Sequence, residues 1–521
     1  MSAVSASSTA LGSVPVDPVR ALQHALYRAA KADPGRRFHT LRDKVYRRDV
    51  LWRGWVAVRT NNGAPGIDKA TLDQIEQEYG IDRLLGDLAV ELRDGTYRPM
   101  PTRRVWIPKP GTSEQRPLSI PAVRDRIVQS ACKIVLEPIF EADFLGCSFG
   151  FRPKRAPQDA LQVLVDEAWR GRRWVVETDI ANCFSAIPHE RLMQAVEERV
   201  CDQAVLKLVR AMLRAGVVSD GMVRREVTGT PQGGPISPLL CNVYLHRLDR
   251  AWDTRAFGVL VRFADDAVVM CRSRQQAEAA LARLTQLLAE LGLEPKAAKT
   301  RIVHLTEGGE GLDFLGFHHR WVRAEGRTGG KGVAFLARWP ADKAMQHARN
   351  QIRELTDRRR MLLRVEHIVE DVNRFLRGWA GYFRYGNSAL RFEKIRNYAL
   401  MRIAGFIAKK HRRTRAFGRW VIAYASVNQL GLIRLDGTVV APRPFRAWRV
   451  GRMPAVNGVG KPCAGEPHAR FDGRELETEQ RSGQGHGDEG HQGKPCGHQR
   501  LRDLPSILVT APALDPTRNS G

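Results

Sequence analysis

The sequence predicts an α/β protein that continues into a purely helical, basic region. Three observations carry that expectation. Residues 259–271, VLVRFADDAVVMC, are two apolar runs flanking Ala264-Asp265-Asp266, the pattern of a β-hairpin with acids at its tip. Residues 275–292 follow with apolar side chains at 277, 280, 281, 284, 287, 288 and 291, which is helical spacing with one face buried. Residues 340–420 keep a helical reading and are rich in Arg and Lys.

The other elements follow in chain order. Residues 1–20 are small and polar and are expected to lack fixed structure. From 21 to about 100 the pattern is mostly helical, interrupted by Asn61-Asn62-Gly63 and Pro65-Gly66, which read as a turn. Residues 103–108, RRVWIP, form a short strand entering a loop. Helical spacing returns over 121–145 and 158–170. Residues 174–180, WVVETDI, are rich in β-branched and aromatic side chains and read as a strand. Residues 190–215 are helical, and strands at 300–305 and near 312–317 complete the α/β layer. From about 451 onward Gly, Pro, His and charge dominate, so little fixed structure is expected there. The divisions are therefore 1–20, 21–170, 171–325, 326–450 and 451–521, with no internal repeat.

A chain of 521 residues has length for roughly three or four domains. Lys and Arg number 83 against 56 Asp and Glu, a formal net charge of +27. Such a surplus repels itself unless something anionic neutralises it, nucleic acid first and an acidic membrane surface second. Basic clusters recurring along the chain favour nucleic acid. No apolar run approaches the roughly 20 residues that cross a bilayer. The N-terminus lacks the basic start and apolar stretch of a secretory signal. No membrane partner is expected. The eight cysteines, at 132, 147, 183, 201, 241, 271, 463 and 496, include no CxxC pair, which argues against a zinc knuckle or ribbon. So few in so long a chain fit a reducing, intracellular setting.

The chemistry centres on acids. An Asp pair at a hairpin tip is often turn chemistry alone. Here both flanks are apolar, so the hairpin belongs in a core and delivers two anionic groups to one edge. Carboxylates held that close repel each other. A hard divalent cation relieves the repulsion, and Mg²⁺ prefers carboxylate oxygen. Asp179 stands next to last in the run WVVETDI. It reads either as a cap for the helix over 188–200, although Pro188-His189-Glu190 is a better start, or as a third carboxylate on a neighbouring strand. The second reading completes a site for two metal ions roughly 3.5–4 Å apart, which activates a 3′-hydroxyl and stabilises leaving pyrophosphate. In such nucleotidyl transfer the protein mainly positions groups and neutralises charge.

Between these acids, Thr230-Pro231-Gln232-Gly233-Gly234-Pro235-Ile236-Ser237-Pro238 is a shaped loop before a helix from about 238. It is either a plain connection or a backbone that a base pair approaches closely. Lys109 and Arg116 flank Pro110-Gly111, as a solvated turn or as a grip on a triphosphate. Residues 401–420 hold seven Arg or Lys and no acid, with Phe406, Phe417 and Trp420 interleaved. That is a solvated face or a surface for structured RNA, which is bound through phosphates, shape and stacking.

In order and wording these segments resemble group II intron-encoded reverse transcriptases, also called maturases. The matching pieces are NNGAPGIDK (61–69), YRPMPTRRVWIPKPGTSEQRPLSIPAVRDRIVQ (97–129), LEPIFEADFLGCSFGFRP (136–153), TDIANCF (178–184), TPQGGPISPLLCNVYLHRLD (230–249), RFADD (262–266), LEPKAAKT (293–300) and LDFLGF (312–317), with GWAGYFRYGN (378–387) in the helical region. Coverage runs from about 50 to 425. The resemblance implies a right-hand polymerase: fingers to about 170, a palm with an antiparallel sheet to about 325, then an α-helical thumb and maturase region. It implies two Mg²⁺ ions on Asp179, Asp265 and Asp266, with the backbone carbonyl of Ile180 as a further ligand. It places Lys109 and Arg116 on the nucleotide triphosphate, Gln232 on the nucleotide and Lys299 near pyrophosphate. Phe184 becomes an aromatic gate against a 2′-hydroxyl, where the alternative is simply core. Lys409, Lys410, Arg412 and Arg413 become an intron RNA surface. The implied partners are intron RNA, an RNA template, a DNA primer or target and dNTPs, in a bacterial cytoplasm. One departure is Phe263, where family members usually carry Tyr. Relatives with an HNH-type nuclease carry paired cysteines. This chain offers only Cys463 with His468 and Cys496 with His498, so no nuclease is expected. Two rival expectations are an RNA-binding splicing cofactor with a vestigial polymerase, and a reverse transcriptase of the defence or diversity type.

Overall fold

The computed structural model describes residues 17–443 apart from 109–114, 220–221, 225–226, 231–232, 325–331, 425–430 and 436. Its strands are β1 (Thr102–Pro108), β2 (Gln115–Ile120), β3 (Trp174–Asp179), β4 (Val217–Ser219), β5 (Met222–Arg224), β6 (Val259–Phe263), β7 (Asp266–Cys271), β8 (Arg301–His304), β9 (Leu312–Phe314), β10 (Phe317–Arg323) and β11 (Ala334–Pro340). They form three sheets, ordered β2-β1-β4-β5, β6-β7-β3-β8 and β11-β10-β9.

The second sheet positions the acids. The two apolar runs expected to pair do so, with Val259 opposite Met270 and Phe263 opposite Asp266. Only Ala264 and Asp265 remain between the strands. A two-residue hairpin loop demands positive φ, and Ala264 supplies it at +57° despite carrying a Cβ. β7 then pairs antiparallel with β3, and β3 with β8. Alternation along these strands divides the side chains between two cores. Val176, Leu260, Ala267, Val269 and Cys271 join helices on one face. Val175, Val259, Val261, Val268 and Met270 join a different apolar cluster on the other. A sheet buried on both faces reads as continuous apolar sequence, as VLVRF and DAVVMC do.

The first core gathers the N-terminal helices. Helix Pro18–Ala32 is capped by the Asp17 carboxylate, which accepts from the Val19 amide at 3.0 Å. It takes up three residues of the stretch 1–20 expected to lack structure. Helix Arg48–Asn61 lies on the buried helix Val123–Glu141, close enough that a Cβ on Gly54 would stand 2.9 Å from the Ile127 carbonyl. Turn 61–66 follows as expected, with Asn62 in the left-handed region.

The second core gathers helices Asp342–Leu355, Val365–Phe383 and Ala389–Lys410. Val369, Val372, Leu376, Trp379 and Phe383 recur at helical spacing and give the second of these its buried stripe. Three expectations are revised by local backbone. Residues 190–215 split into helices His189–Glu197 and Gln203–Leu213, because Asp202 caps the second and also accepts the Leu41 and Arg42 amides at 2.8 and 2.9 Å. The strand near 312–317 is two strands, β9 and β10, reversed at Leu315-Gly316, both at positive φ. The basic run 401–420 is no single helix: it breaks after Lys410, with Arg412 at φ +52°, before helix Arg415–Tyr424. The tail expected from 451 lies outside the described residues.

Candidate active site at the acidic hairpin

The register of the β3–β7 pair sets Asp179 directly opposite Asp266. The strand-end acid and the hairpin acids thus come from adjacent strands, as expected. The Ile180 amide donates to the Asp265 carbonyl at 3.1 Å, tying the end of β3 to the tip. On the other side the Lys296 amide donates to the Asp179 carbonyl at 2.7 Å. Asp179 is thereby held by backbone on both flanks.

Asp266 is the strained acid electrostatically. Burial, then the charges of Asp265 and Asp179, push its carboxyl up to about 7, while Lys299 pulls the other way. Lys299 Nζ donates to Asp179 Oδ2 at 2.7 Å. Burial opposes the Lys299 ammonium, but that hydrogen bond and the three acids outweigh it and raise its pKa. Among the described residues no group of three or more His, Cys, Asp or Glu side chains stands in metal-ligand geometry. The donor chemistry nonetheless fits a hard cation: three clustered carboxylates, one discouraged from ionising by the other two, need more positive charge than one Lys provides.

The other expected site residues are placed unevenly. Phe184 is the second residue of the short helix Cys183–Ala186; it is 7% exposed and belongs to the first core. Its carbonyl accepts from the Thr230 amide at 2.6 Å, so the segment entering the Pro-Gly loop runs beside it. Gly233 approaches the Ser119 carbonyl of β2 at φ +119°, where a Cβ would stand 2.8 Å away, so this point of the loop sits against β2. Helix Ser237–Ala251 follows, close to the expected start. Lys109 and Gln232 lie outside the described residues. Arg116 is on β2 opposite Ile107, but its side chain is not among those described. Lys409, Arg412 and Arg413 are exposed. Lys410 is different: its ammonium donates to the carbonyls of Met361 and Leu363 at 2.8 and 2.9 Å.

Beneath the tip lies a feature the sequence reading passed over. Arg262, in the middle of the apolar run VLVRF, is fully buried on Asp249. The signal was available: a charge at a buried strand position demands a partner. Gly150 was likewise unremarked, yet a Cβ there would overlap the Ala264 amide nitrogen.

Comparison with known proteins covers both the sheet-bearing region and the helices that follow it. Residues 107–319 match the model of the family described as Reverse transcriptase (RNA-dependent DNA polymerase). Residues 345–423 match that described as Group II intron, maturase-specific domain. The chain is 32% identical over 367 residues to Protein YkfC of Escherichia coli, spanning 63% of this chain and 94% of that protein. It is 36% identical over 206 residues to the Group II intron-encoded protein LtrA of Lactococcus lactis, covering 40% of this chain and 34% of LtrA. Over 135 residues it is 31% identical to Nuclear intron maturase 4, mitochondrial, of Arabidopsis thaliana, covering 25% of this chain and 16% of that one.

Proposed function

Because this chain belongs to the group II intron reverse transcriptase and maturase family, and is by that membership an RNA-directed DNA polymerase, we propose that it extends a DNA primer on an RNA template by two-metal nucleotidyl transfer at Asp179, Asp265 and Asp266, and that it assists splicing of a group II intron RNA during intron mobility. The observation that carries the first part is the register placing Asp179 opposite Asp266 beside Asp265. Two Mg²⁺ ions held by these carboxylates, with the Ile180 carbonyl, would activate the primer 3′-hydroxyl and stabilise leaving pyrophosphate.

The protein's own groups do the positioning. In this reading the β6-β7-β3-β8 sheet is the palm of a right hand, the segments before it the fingers, and the helices beyond β11 the thumb and maturase region. Lys299 balances charge beside Asp179 and reaches the pyrophosphate. Lys109, Arg116 and Gln232 grip the nucleotide, and Phe184 closes against a 2′-hydroxyl. The exposed cations around 409–413 hold intron RNA. No helix among the described residues is long and apolar enough to cross a membrane. A bacterial cytoplasm is the setting this reading proposes. The family carries both a polymerase and a splicing role. Three clustered acids favour retention of the first, since a pure RNA binder gains nothing from them.

Asp179→Ala and Asp265→Ala each test this reading. Primer extension on RNA with Mg²⁺ should be abolished while RNA binding persists, because metal placement is lost and the basic surface is not. Extension near the wild-type rate in either variant rejects the assignment.

A further inference from the structure

The residues that line the acidic tip are themselves held by a buried cation with no part in the proposed chemistry. Arg262 uses all five of its guanidinium N–H groups. Nε and Nη2 donate to the two carboxylate oxygens of Asp249 at 2.8 and 2.6 Å. The second Nη2 hydrogen goes to Ser148 Oγ at 2.8 Å. Nη1 donates to Asn242 Oδ1 at 3.1 Å and to the Ala264 carbonyl at 2.9 Å. Such complete saturation is what a buried guanidinium needs.

The Ala264 contact is the informative one. Ala264 is the non-glycine residue at φ +57° that immediately precedes Asp265, and a side chain in that backbone region persists only where its surroundings hold it. Three groups converge to do so. Arg262 takes the Ala264 carbonyl. Gly150 presses its backbone against the Ala264 amide with no room for a Cβ. Asn242 Nδ2 donates to the Gly150 carbonyl at 2.8 Å, fixing that contact from the far side. The segment below is zipped to the same strand: the Arg262 amide donates to the Cys147 carbonyl and the Phe149 amide to the Arg262 carbonyl, both at 2.8 Å. Asn242 and Asp249 stand on helix Ser237–Ala251, which begins in the Pro-Gly loop. One side chain therefore joins the hairpin tip, the 147–150 segment and the helix behind the nucleotide loop.

We propose that Arg262, seated on Asp249 and Asn242, is a positioning residue that fixes the Ala264 turn so that Asp265 and Asp266 meet Asp179 in the arrangement that takes up divalent metal. This rests on the reading of those carboxylates as metal ligands. Arg262 touches no reacting atom; it acts through the turn.

The test separates positioning from packing. Arg262→Met combined with Asp249→Leu removes both charges at similar volume, so no unpaired ion is left buried. Mn²⁺ uptake is followed by the electron paramagnetic resonance signal of the free ion, alongside thermal denaturation and steady-state primer extension. The folded double variant should bind Mn²⁺ about tenfold or more weakly, the loss usual when the groups orienting metal ligands are removed. Its kcat should fall while the KM for dNTP changes little. Asn242→Ala, a single change that keeps the Arg262–Asp249 pair, should move Mn²⁺ affinity the same way by a smaller factor, and it decides the matter if the double variant does not fold. Folded variants with Mn²⁺ affinity and kcat within about twofold of wild type, well short of that range, overturn the proposal and leave Arg262 as core. If wild-type protein takes up no Mn²⁺, or no more than Asp265→Ala does, the carboxylate reading itself is overturned and this inference falls with it.

Discussion

Replacing Lys409, Arg412 and Arg413 together with Gln should flatten the salt dependence of RNA binding by an amount the structure sets. Four cations stand in this stretch, but only three face solvent. The fourth, Lys410, spends its ammonium on the Met361 and Leu363 carbonyls. Each phosphate contact contributes roughly 0.7 to the slope of log affinity against log salt for single strands and about 0.9 for a duplex. Three lost contacts therefore lower the slope by about 2 to 2.7. Over a fourfold rise in salt, from roughly 50 to 200 mM, a slope change near 2.1 shrinks the wild-type affinity advantage about twentyfold. The assay is a salt titration of intron RNA binding, with a splicing time course and extension of a short primer on the same protein. Splicing assistance should fall and extension should fall much less, since the acidic sheet is untouched. Lys410→Met is the internal control: it should leave the slope nearly unchanged and cost about 1 kcal/mol of stability through the two carbonyls it abandons. An unaltered slope in the triple variant removes the 409–413 turn from the RNA surface. A slope flattened by Lys410→Met as much as by any one of the others refutes the structural role given to that lysine. Extension that collapses while splicing holds would put the turn in the polymerase cleft.

Two further outcomes are expected. Phe184→Ala should admit ribonucleotides more readily relative to deoxynucleotides, while truncating a core ring at a cost of about 3–5 kcal/mol, so incorporation is compared well below the lowered melting temperature; unchanged sugar discrimination leaves Phe184 as core alone. His246 is held down at about 4, chiefly by burial and against the pull of Asp249, whereas in the unfolded chain it titrates near its ordinary value of about 6.5. Between those values the unfolded chain binds a proton that the folded one refuses. The stability is therefore fully present above about 6.5 and is lost as pH falls toward 4, by at most about 1.4 kcal/mol per unit. His246→Phe, which retains an aromatic edge against Phe144, should gain on wild type across that window in chemical denaturation, and parallel stability curves would reject the assignment.

The hairpin and the strand before Asp179 were legible because their signals are local: β-branched runs, a two-residue gap and acids at the end. What escaped is long-range. Nothing in WVVETDI announces that its Asp179 will stand opposite Asp266, because that register depends on how β3 seats beside β7. Arg262 looked like the ordinary polar interruption of a strand, and its partners lie 13, 20 and 114 residues away. Lys410 read as one of four equal cations because carbonyls near 361–363 carry no sequence signature. The three-residue strands β4 and β5 were too short to show periodicity and take their place by pairing with β1 and each other. The helix breaks at 198–202 and 411–414 were missed where helical spacing resumes on the far side, so composition alone hides the stop.

The alternation that sends Val176, Leu260 and Val269 one way and Val175, Val261 and Val268 the other makes the acid-bearing sheet a party wall. Each half of the molecule leans on it from its own side. A cavity opened among the C-terminal helices, or a bulkier residue forced into the N-terminal ones, alters the load on the same four strands. Close-packed interiors transmit such strain instead of absorbing it. Drift in the surface proposed to hold RNA and drift at the acidic tip are then mechanically linked. A half exchanged with that of a relative will function only when its inner face suits the wall it inherits.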